Sequence, residues 1–145
     1  MLTPDEHFRR LERMYGSAPI NKYFAPVLHV SDGRAEVTIA VRPDFFHAAH
    51  ALHGSVYFKA LDDAAFFSAN SVVQDVFVLT VSFNVVLLRP VTGGNIIASG
   101  HLVHGSRNLL VAEAELTDGD QRSLARGTGT FMRSSVPLGP EVGYE

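Results

Sequence analysis

Cysteine and tryptophan are both absent from the 145-residue sequence. Without cysteine the chain can form no disulfide, no thiolate zinc site and no cysteine nucleophile. No apolar run approaches the length of a membrane-spanning helix, and residues 1–14 are charged throughout and lack the apolar core of a secretory signal. We therefore expect a cytoplasmic protein with no membrane partner.

Clusters of basic residues are also lacking, and the formal net charge is −3. Binding to a phosphate backbone requires a concentrated cationic surface, so we expect no nucleic acid partner. Hydrophobic residues make up 46% of the chain and charged residues 19%, a balance that favours a packed core. We predict one domain over residues 1–133 and a flexible C-terminal tail over residues 134–145, a stretch that contains two prolines and two glycines.

Two segments carry helical signatures. Thr3 and Glu6 form a capping box around a proline at the first helical position, and apolar residues follow at helical spacing, which predicts a short amphipathic helix that ends near Gly16. Residues 55–70 contain no glycine or proline, and their apolar side chains point in nearly every direction. This second segment is predicted to be the principal helix, buried on all sides.

The remaining periodic segments predict β-strands. Residues 36–42 alternate between apolar and polar side chains, and four later runs rich in β-branched residues end in short turns typical of antiparallel neighbours. Ala125, Gly127 and Gly129 share one face of the last run, where a helix could approach the sheet closely. The sequence predicts an α+β fold in which a curved antiparallel sheet wraps one long helix. The four later runs are 76–89, 95–104, 109–117 and 123–133.

The stretch from Leu52 to Ala64, LHGSVYFKALDDA, closely resembles the signature of the PaaI-like thioesterases of the hotdog superfamily. This resemblance implies the hotdog fold and hydrolysis of an acyl thioester such as an acyl-coenzyme A, without a cofactor. It also implies a homodimer or homotetramer with pockets between subunits. The similarity continues through SFNV at 82–85, LRPV at 88–91, HGSR at 104–107 and ARGTGTF at 125–131.

The family pattern also implies roles for particular residues. A His-Gly-Gly opens the central helix in that pattern, and an aspartate nine positions after the histidine serves the chemistry; these positions are His53 and Asp62 here. Thr80 falls where related enzymes place a hydroxyl that helps to position water. Two positions depart from the pattern: Ser55 replaces the second glycine, and His47 replaces a frequent asparagine.

Asp62 and Asp63 lie in an otherwise apolar helix, where carboxylates are rarely buried unless they are paired or have a chemical task. Lys59 could form an ion pair with either of them, at a spacing of three or four residues. Partial burial raises the pKa of a carboxyl and makes it a better base at neutral pH. Asp62 could act as a general base toward water or attack the carbonyl itself, and Asp63 is assigned to substrate binding.

The first amides of the principal helix, at Gly54 and Ser55, are suited to stabilise an oxyanion, although Gly54 could simply begin the helix after a tight turn. His53 is assigned an orienting role, and His47 could replace the asparagine as a hydrogen-bond donor. His50 completes a set of three histidines at intervals of three residues, which converge poorly on a helix or a strand. We therefore expect no metal site.

Two further candidates concern the pocket wall and the coenzyme. Thr80, Ser82 and Asn84 are expected on one face of a strand, which could form a polar pocket wall or simply face solvent. Arg107, in a turn, could meet coenzyme A phosphates or be only solvated. Two other functions fit the same pattern: a hotdog dehydratase or hydratase acting on acyl thioesters, and a non-catalytic acyl-thioester-binding protein.

Overall fold

One long helix, α3, lies against a six-stranded antiparallel sheet. The structure, a computed structural model, describes residues 2–145. The α+β fold class predicted from the sequence is confirmed, and this arrangement is the hotdog fold. The helices are α1 Pro4–Ser17, α2 Asn21–Phe24 and α3 Gly54–Asn70, and the strands are β1 Val27–Ser31, β2 Arg34–Ala40, β3 Val76–Leu87, β4 Asn95–Gly105, β5 Leu110–Thr117 and β6 Ser123–Pro137.

Helix α1 begins at the predicted capping box. The Glu6 amide donates to Thr3 Oγ1 at 3.2 Å, and the Thr3 amide donates to Glu6 Oε2 at 2.7 Å. Two orphan amides at the start of the helix are satisfied in this way. The apolar side of α1, which includes Leu11 and Tyr15, is buried.

Helix α3 is buried along most of its length, as its apolar composition predicted. Ala60, Leu61, Ala64 and Ala65 are fully inaccessible to solvent. All six strands contact this helix. Its small side chains allow the sheet to approach the helix closely. The side with Lys59, Asp62 and Asp63 is only half-buried, which leaves room for polar chemistry.

The strand order is β1-β2-β4-β5-β6-β3, so the short connection between β3 and β4 does not join neighbours. The prediction that these two strands are neighbours, which was based on the short Gly93-Gly94 turn between them, is therefore wrong. Residues 88–94 can reach across because three strand spacings amount to roughly 14 Å and seven extended residues span up to about 23 Å. This crossover leaves β3 on an edge of the sheet, paired only with β6.

Two short elements were missed in the sequence, both between α1 and the alternating segment. Strand β1 and helix α2 lie in a stretch for which the sequence predicted neither a helix nor a strand. Their lengths of five and four residues are too short for periodicity to distinguish them from irregular chain. Strand β1 pairs with β2 and lies at the sheet edge opposite to β3.

The close contact between helix and sheet lies on a different strand from the one predicted. A Cβ atom on Gly100, in β4, would lie 2.4 Å from the carbonyl oxygen of Ala64 in α3. Cβ atoms on Gly127 and Gly129 would instead collide with the ring of Phe83. The glycines of β6 therefore accommodate an aromatic side chain from the neighbouring strand, and Gly100 provides the space for the helix.

The segment 138–145 is packed against the domain, in contrast to the flexible tail predicted from residue 134. Strand β6 continues to Pro137, and Tyr144 is buried beside α1. The Tyr144 hydroxyl lies 2.6 Å from Nδ1 of the fully buried His7, whose Nε2 donates to the carbonyl of Asn70 at 2.9 Å. Pro140 begins an ordered turn at Pro140–Val142, and Gly139 and Gly143 flank it. Within residues 2–145, no helix is both long and apolar enough to cross a bilayer.

Candidate active site

Asp62 points from α3 toward the edge strand β3. Its Oδ1 accepts a hydrogen bond of 2.9 Å from the hydroxyl of Thr80. Burial raises the pKa of Asp62 to about 6, the Thr80 hydrogen bond opposes this rise, and the charge of Asp63 adds to it. The carboxyl is therefore held by a neutral hydroxyl and is poised to exchange a proton near neutral pH.

Asp63 has different partners, although it is the next residue. Its Oδ2 accepts from the Tyr15 hydroxyl at 2.6 Å and from Lys59 Nζ at 2.9 Å. The Lys59 ammonium also lies over the rings of Tyr15 and Phe24, at 5.4 and 5.1 Å from their centroids. The lysine thus pairs with Asp63 and leaves Asp62 free of a direct ion pair.

A cavity of about 590 Å³ adjoins both carboxylates. Asp62, Asp63 and Thr80 line it together with aromatic side chains that include Phe66 and Phe77. These two rings lie 5.1 Å apart between their centroids. The volume is within the range of small-molecule pockets, and mostly apolar walls with a few polar groups are typical of such sites. We call this space the Asp62 cavity.

The start of α3 presents one free amide. The Ser55 amide donates to Nδ1 of His53 at 3.0 Å, so His53 acts as the N-cap of the helix. Within residues 2–145 the Gly54 amide makes no hydrogen bond. Its position at the positive end of the helix dipole suits a developing oxyanion. Of the two amides proposed for this task, Gly54 is available and Ser55 is occupied.

His47 lies near this amide. Its Nδ1 accepts from the Ala49 amide at 3.1 Å, which leaves Nε2 as the protonated nitrogen of the neutral ring. His47 and Gly54 line a second cavity of about 380 Å³, together with Leu87 and Arg89. We call this space the Gly54 cavity. It brings together two potential donors to an oxyanion.

The carboxylate and the oxyanion donors of one chain lie apart. Gly54 and Asp62 are separated by eight residues on α3, which corresponds to roughly 12 Å along the helix axis. A single thioester carbonyl cannot contact both. Asp62, Asp63 and Thr80 therefore line one cavity and His47 and Gly54 another, although the motif predicted a single site.

Three other predicted residues are placed as follows. A β-bulge at Val81 shifts the register, so Thr80 lies opposite the buried Phe131 whereas Asn84 lies opposite the exposed Thr128. The shared polar face expected for Thr80, Ser82 and Asn84 is therefore wrong, because the bulge breaks the alternation. Arg107 is exposed in the turn between β4 and β5 and lines neither the Asp62 cavity nor the Gly54 cavity. Within residues 2–145 there is no cluster of three or more side chains that could ligate a metal.

Tyr15 is the site residue that sequence reasoning missed. It was interpreted only as an apolar residue of the amphipathic α1, and its ring is indeed buried. Its hydroxyl nevertheless reaches Asp63, a residue 48 positions away. Nothing local in the sequence indicates this contact, because it depends on how α1 docks against α3.

Comparison with known protein families and relatives agrees with the geometry. Residues 49–125, more than half of the chain, match the family model of the thioesterase superfamily. A protein of Saccharolobus solfataricus that carries the name of a candidate esterase is 22% identical over 134 residues, which cover 91% of this chain and 92% of that protein.

Solved structures with the same fold include two PaaI proteins. The E. coli PaaI protein from the phenylacetic acid degradation operon superimposes with a TM-score of 0.84 at 20% identity, over 92% of this chain and 97% of its own. A variant of the phenylacetic acid degradation protein PaaI from Thermus thermophilus gives 0.73 at 24% identity, over 81% and 100%. A conserved protein of Pseudomonas aeruginosa gives 0.75 at 25% identity, over 81% and 94%.

Proposed function

Because the chain belongs to the thioesterase superfamily, we propose that it hydrolyses an acyl-coenzyme A thioester and that Asp62 is the carboxylate that starts the reaction. The observation that carries this proposal is the position of Asp62: a carboxyl with a raised pKa, bonded to Thr80, at an apolar cavity large enough for an acyl group. Such a group is a suitable base toward water at neutral pH.

The reaction consumes one water molecule. In the general-base route Asp62 takes a proton from water as the water oxygen attacks the thioester carbon; the C–S bond then breaks, and the proton passes from Asp62 to the departing sulfur. In the nucleophilic route the carboxylate itself attacks the thioester carbon, the C–S bond breaks and a thiolate leaves. Water then hydrolyses the resulting anhydride, which restores the Asp62 carboxylate and releases the proton that neutralises the thiolate. Both routes require ionised Asp62 and give a carboxylic acid and a free thiol.

The oxyanion formed in either route requires donors at the carbonyl oxygen. The Gly54 amide and Nε2 of His47 are suited to this task, but they lie too far from Asp62 of the same chain. We propose that a second copy of the chain supplies them. Each active site would then contain Asp62 and Thr80 from one subunit and Gly54 and His47 from the other.

The edge strand β3 supports this assembly. Thr80 of β3 contacts Asp62, and Leu87, seven residues further along the same strand, lies beside Gly54. Two copies of β3 paired antiparallel about Phe83 would bring Leu87 of the second copy alongside Leu79 and Thr80 of the first. The same pairing therefore brings Gly54 of one copy toward Asp62 of the other. Exposed apolar residues on this edge fit a covered interface: Leu79, Val81, Val86 and Leu87.

The purified protein should be tested on a panel of acyl-coenzyme A esters with a thiol reagent in the assay. We expect release of free thiol by the wild type and release at least about a hundredfold slower by Asp62→Asn. A dehydratase or hydratase would change the acyl group without releasing thiol, and a binding protein would do neither. Failure of the wild type to release thiol from any ester would contradict the proposed function.

A further inference from the structure

The Asp62 cavity extends away from the start of α3. From Asp62 to Phe66 the helix advances about 6 Å, and from Thr80 to Phe77 strand β3 runs about 10 Å in the same direction. Phe66 and Phe77 meet across the cavity at the far end of these two steps. In the proposed reaction the thioester carbonyl lies beside Asp62, so an acyl group that enters the cavity passes these rings.

The segment 138–145 begins near the start of β3, and part of it lines the cavity. The Leu138 amide donates to the carbonyl of Asp75 at 3.0 Å, which places the beginning of this segment just past that end of β3. Residues 141–143 then line the cavity, as do Ser17 at the end of α1 and residues 18–21. Val142 is the apolar member of this wall and packs against the hydrophobic core.

The wall is fixed in place. Gly143 has a φ of 83°, and a Cβ atom there would collide with the Ser17 hydroxyl, so the segment lies directly against the end of α1. Tyr144 is 3% exposed, its hydroxyl bonds His7, and the Arg10 guanidinium lies 5.7 Å from its ring centroid. A wall tied down on both sides of Val142 can exclude an acyl group that is too long.

Resting on the proposed thioester hydrolysis, we propose that residues 141–143 limit the length of the acyl group and that Val142 is a specificity-determining residue. Since Val142 lines the Asp62 cavity, a smaller side chain at this position enlarges the space open to the acyl group, and a larger one reduces it. One methylene in an apolar pocket changes specificity by on the order of tenfold or more. The preferred acyl length should therefore follow the size of residue 142.

The test measures kcat/KM for a series of straight-chain acyl-coenzyme A esters with the wild type, Val142→Ala and Val142→Phe. In Val142→Ala the value for esters one or two carbons longer than the wild-type optimum should rise about tenfold relative to that optimum. In Val142→Phe the optimum should move to shorter esters. Val136→Ala, the same substitution at an exposed position of β6 outside the cavity, serves as the control and should keep the wild-type profile.

Two results would overturn this inference and leave the proposed function intact. In the first, all variants hydrolyse the esters with an unchanged dependence of kcat/KM on acyl length. In the second, the optimal acyl length shifts in the same direction in both Val142 variants. If the wild type hydrolyses no ester, the proposed function fails, and a matching series of free carboxylic acids is titrated by calorimetry instead. The proposed role of Val142 is then supported if Val142→Ala binds a longer acid best than the wild type does. It is overturned if all the proteins bind the same acid best. Thermal unfolding identifies a variant that has lost its fold. If Val142→Phe does not fold, Val142→Ala decides the outcome, because that substitution only removes atoms.

Discussion

Two adjacent carboxylates on α3 have separate environments. Asp62 is bonded to one neutral hydroxyl, and Asp63 accepts bonds from Tyr15 and from the Lys59 ammonium. Burial and the charge of Asp63 raise the pKa of Tyr15, so its hydroxyl stays protonated and continues to donate. Asp63 therefore has a phenol and an ammonium group as partners, whereas Asp62 has one neutral partner and a raised pKa.

We expect Asp62→Asn to lower kcat by roughly 10²–10⁴-fold, because the amide can keep the Thr80 contact but can neither accept a proton nor attack a carbonyl. Asp63→Asn, the matched variant at the next position, should retain activity within about tenfold, since it changes only the field around Asp62. Steady-state rates of thiol release compare the two. Equal losses, or a greater loss in Asp63→Asn, would show that Asp62 is not the catalytic carboxylate.

Thr80 should set the lower pH limit of activity. Ionised Asp62 is the active form in both routes, so kcat/KM should decrease as the pH falls through about 6, the pKa of this group. The Thr80 hydrogen bond lowers that pKa, so Thr80→Val should move the decrease to higher pH. The other charged groups that face Asp62 across its cavity are Lys59, Asp63 and Glu141, and they are unchanged in this variant.

Thr128→Val is the control for this experiment, because Thr128 is an exposed threonine on the opposite face of the sheet. Its pH profile should match that of the wild type. The kcat/KM of each protein is measured between pH 4.5 and 8. If kcat/KM of the wild type and of Thr80→Val decreases at the same pH, Thr80 does not set the pKa of Asp62.

At the scale of elements, local patterns predicted the helices and most strands well. The capping box located α1, and the lack of breakers between Gly54 and Asn70 located α3. What failed depended on contacts between distant residues. The neighbours of β3, the bulge at Val81 and the packing of Tyr144 result from how the sheet closes around α3, and no short stretch of sequence encodes that closure.

The same distinction applies to the candidate site. Asp62, Gly54 and His47 were found through the spacing of one motif, but their division between two cavities follows from the rise of the helix. The Asp63 contact with Tyr15 required the docking of α1. The sequence therefore nominated candidate side chains, and the fold determined which of them meet.

Gly100 allows α3 to contact the sheet, so Gly100→Ala should destabilise the protein. The new Cβ would lie 2.4 Å from the Ala64 carbonyl oxygen, a backbone atom that can move only if the helix moves. Overpacking of this kind costs about 1–3 kcal/mol of the free energy of unfolding. Gly119→Ala, in a turn with no atom within 4 Å of the new Cβ, should be nearly neutral. Urea unfolding of both variants checks this, and equal stabilities would contradict the close packing at Gly100.

At the scale of the whole molecule, the exposed edge of β3 predicts a dimer. Ser82 and Asn84 are exposed and flank Phe83, the centre of the proposed pairing. Ser82→Lys with Asn84→Lys would place like charges opposite each other across the interface, which disfavours pairing. Ser82→Lys with Asn84→Glu is the matched control, because it places opposite charges there.

Light scattering at micromolar concentration should show a dimer or larger assembly for the wild type and the Lys/Glu protein, and a monomer for the Lys/Lys protein. The monomer should also lose thioesterase activity, since it would lack the second set of oxyanion donors. An active wild-type monomer, or a Lys/Lys protein that assembles as the wild type does, would show that β3 is not the interface.

Mixed dimers provide the decisive test of a site shared between subunits. His47→Ala should reduce activity on the order of tenfold by removing one donor to the oxyanion, and Asp62→Asn should reduce it by about a hundredfold or more. In a mixed dimer of the two variants, one site receives Asp62 from the His47→Ala chain and His47 from the Asp62→Asn chain, so it is intact. Such dimers, co-expressed with two different affinity tags and purified through both, should recover about half of the wild-type activity per dimer. If each chain instead contained a complete site, every site in the mixed dimer would carry a defect, and its activity would not exceed half that of His47→Ala.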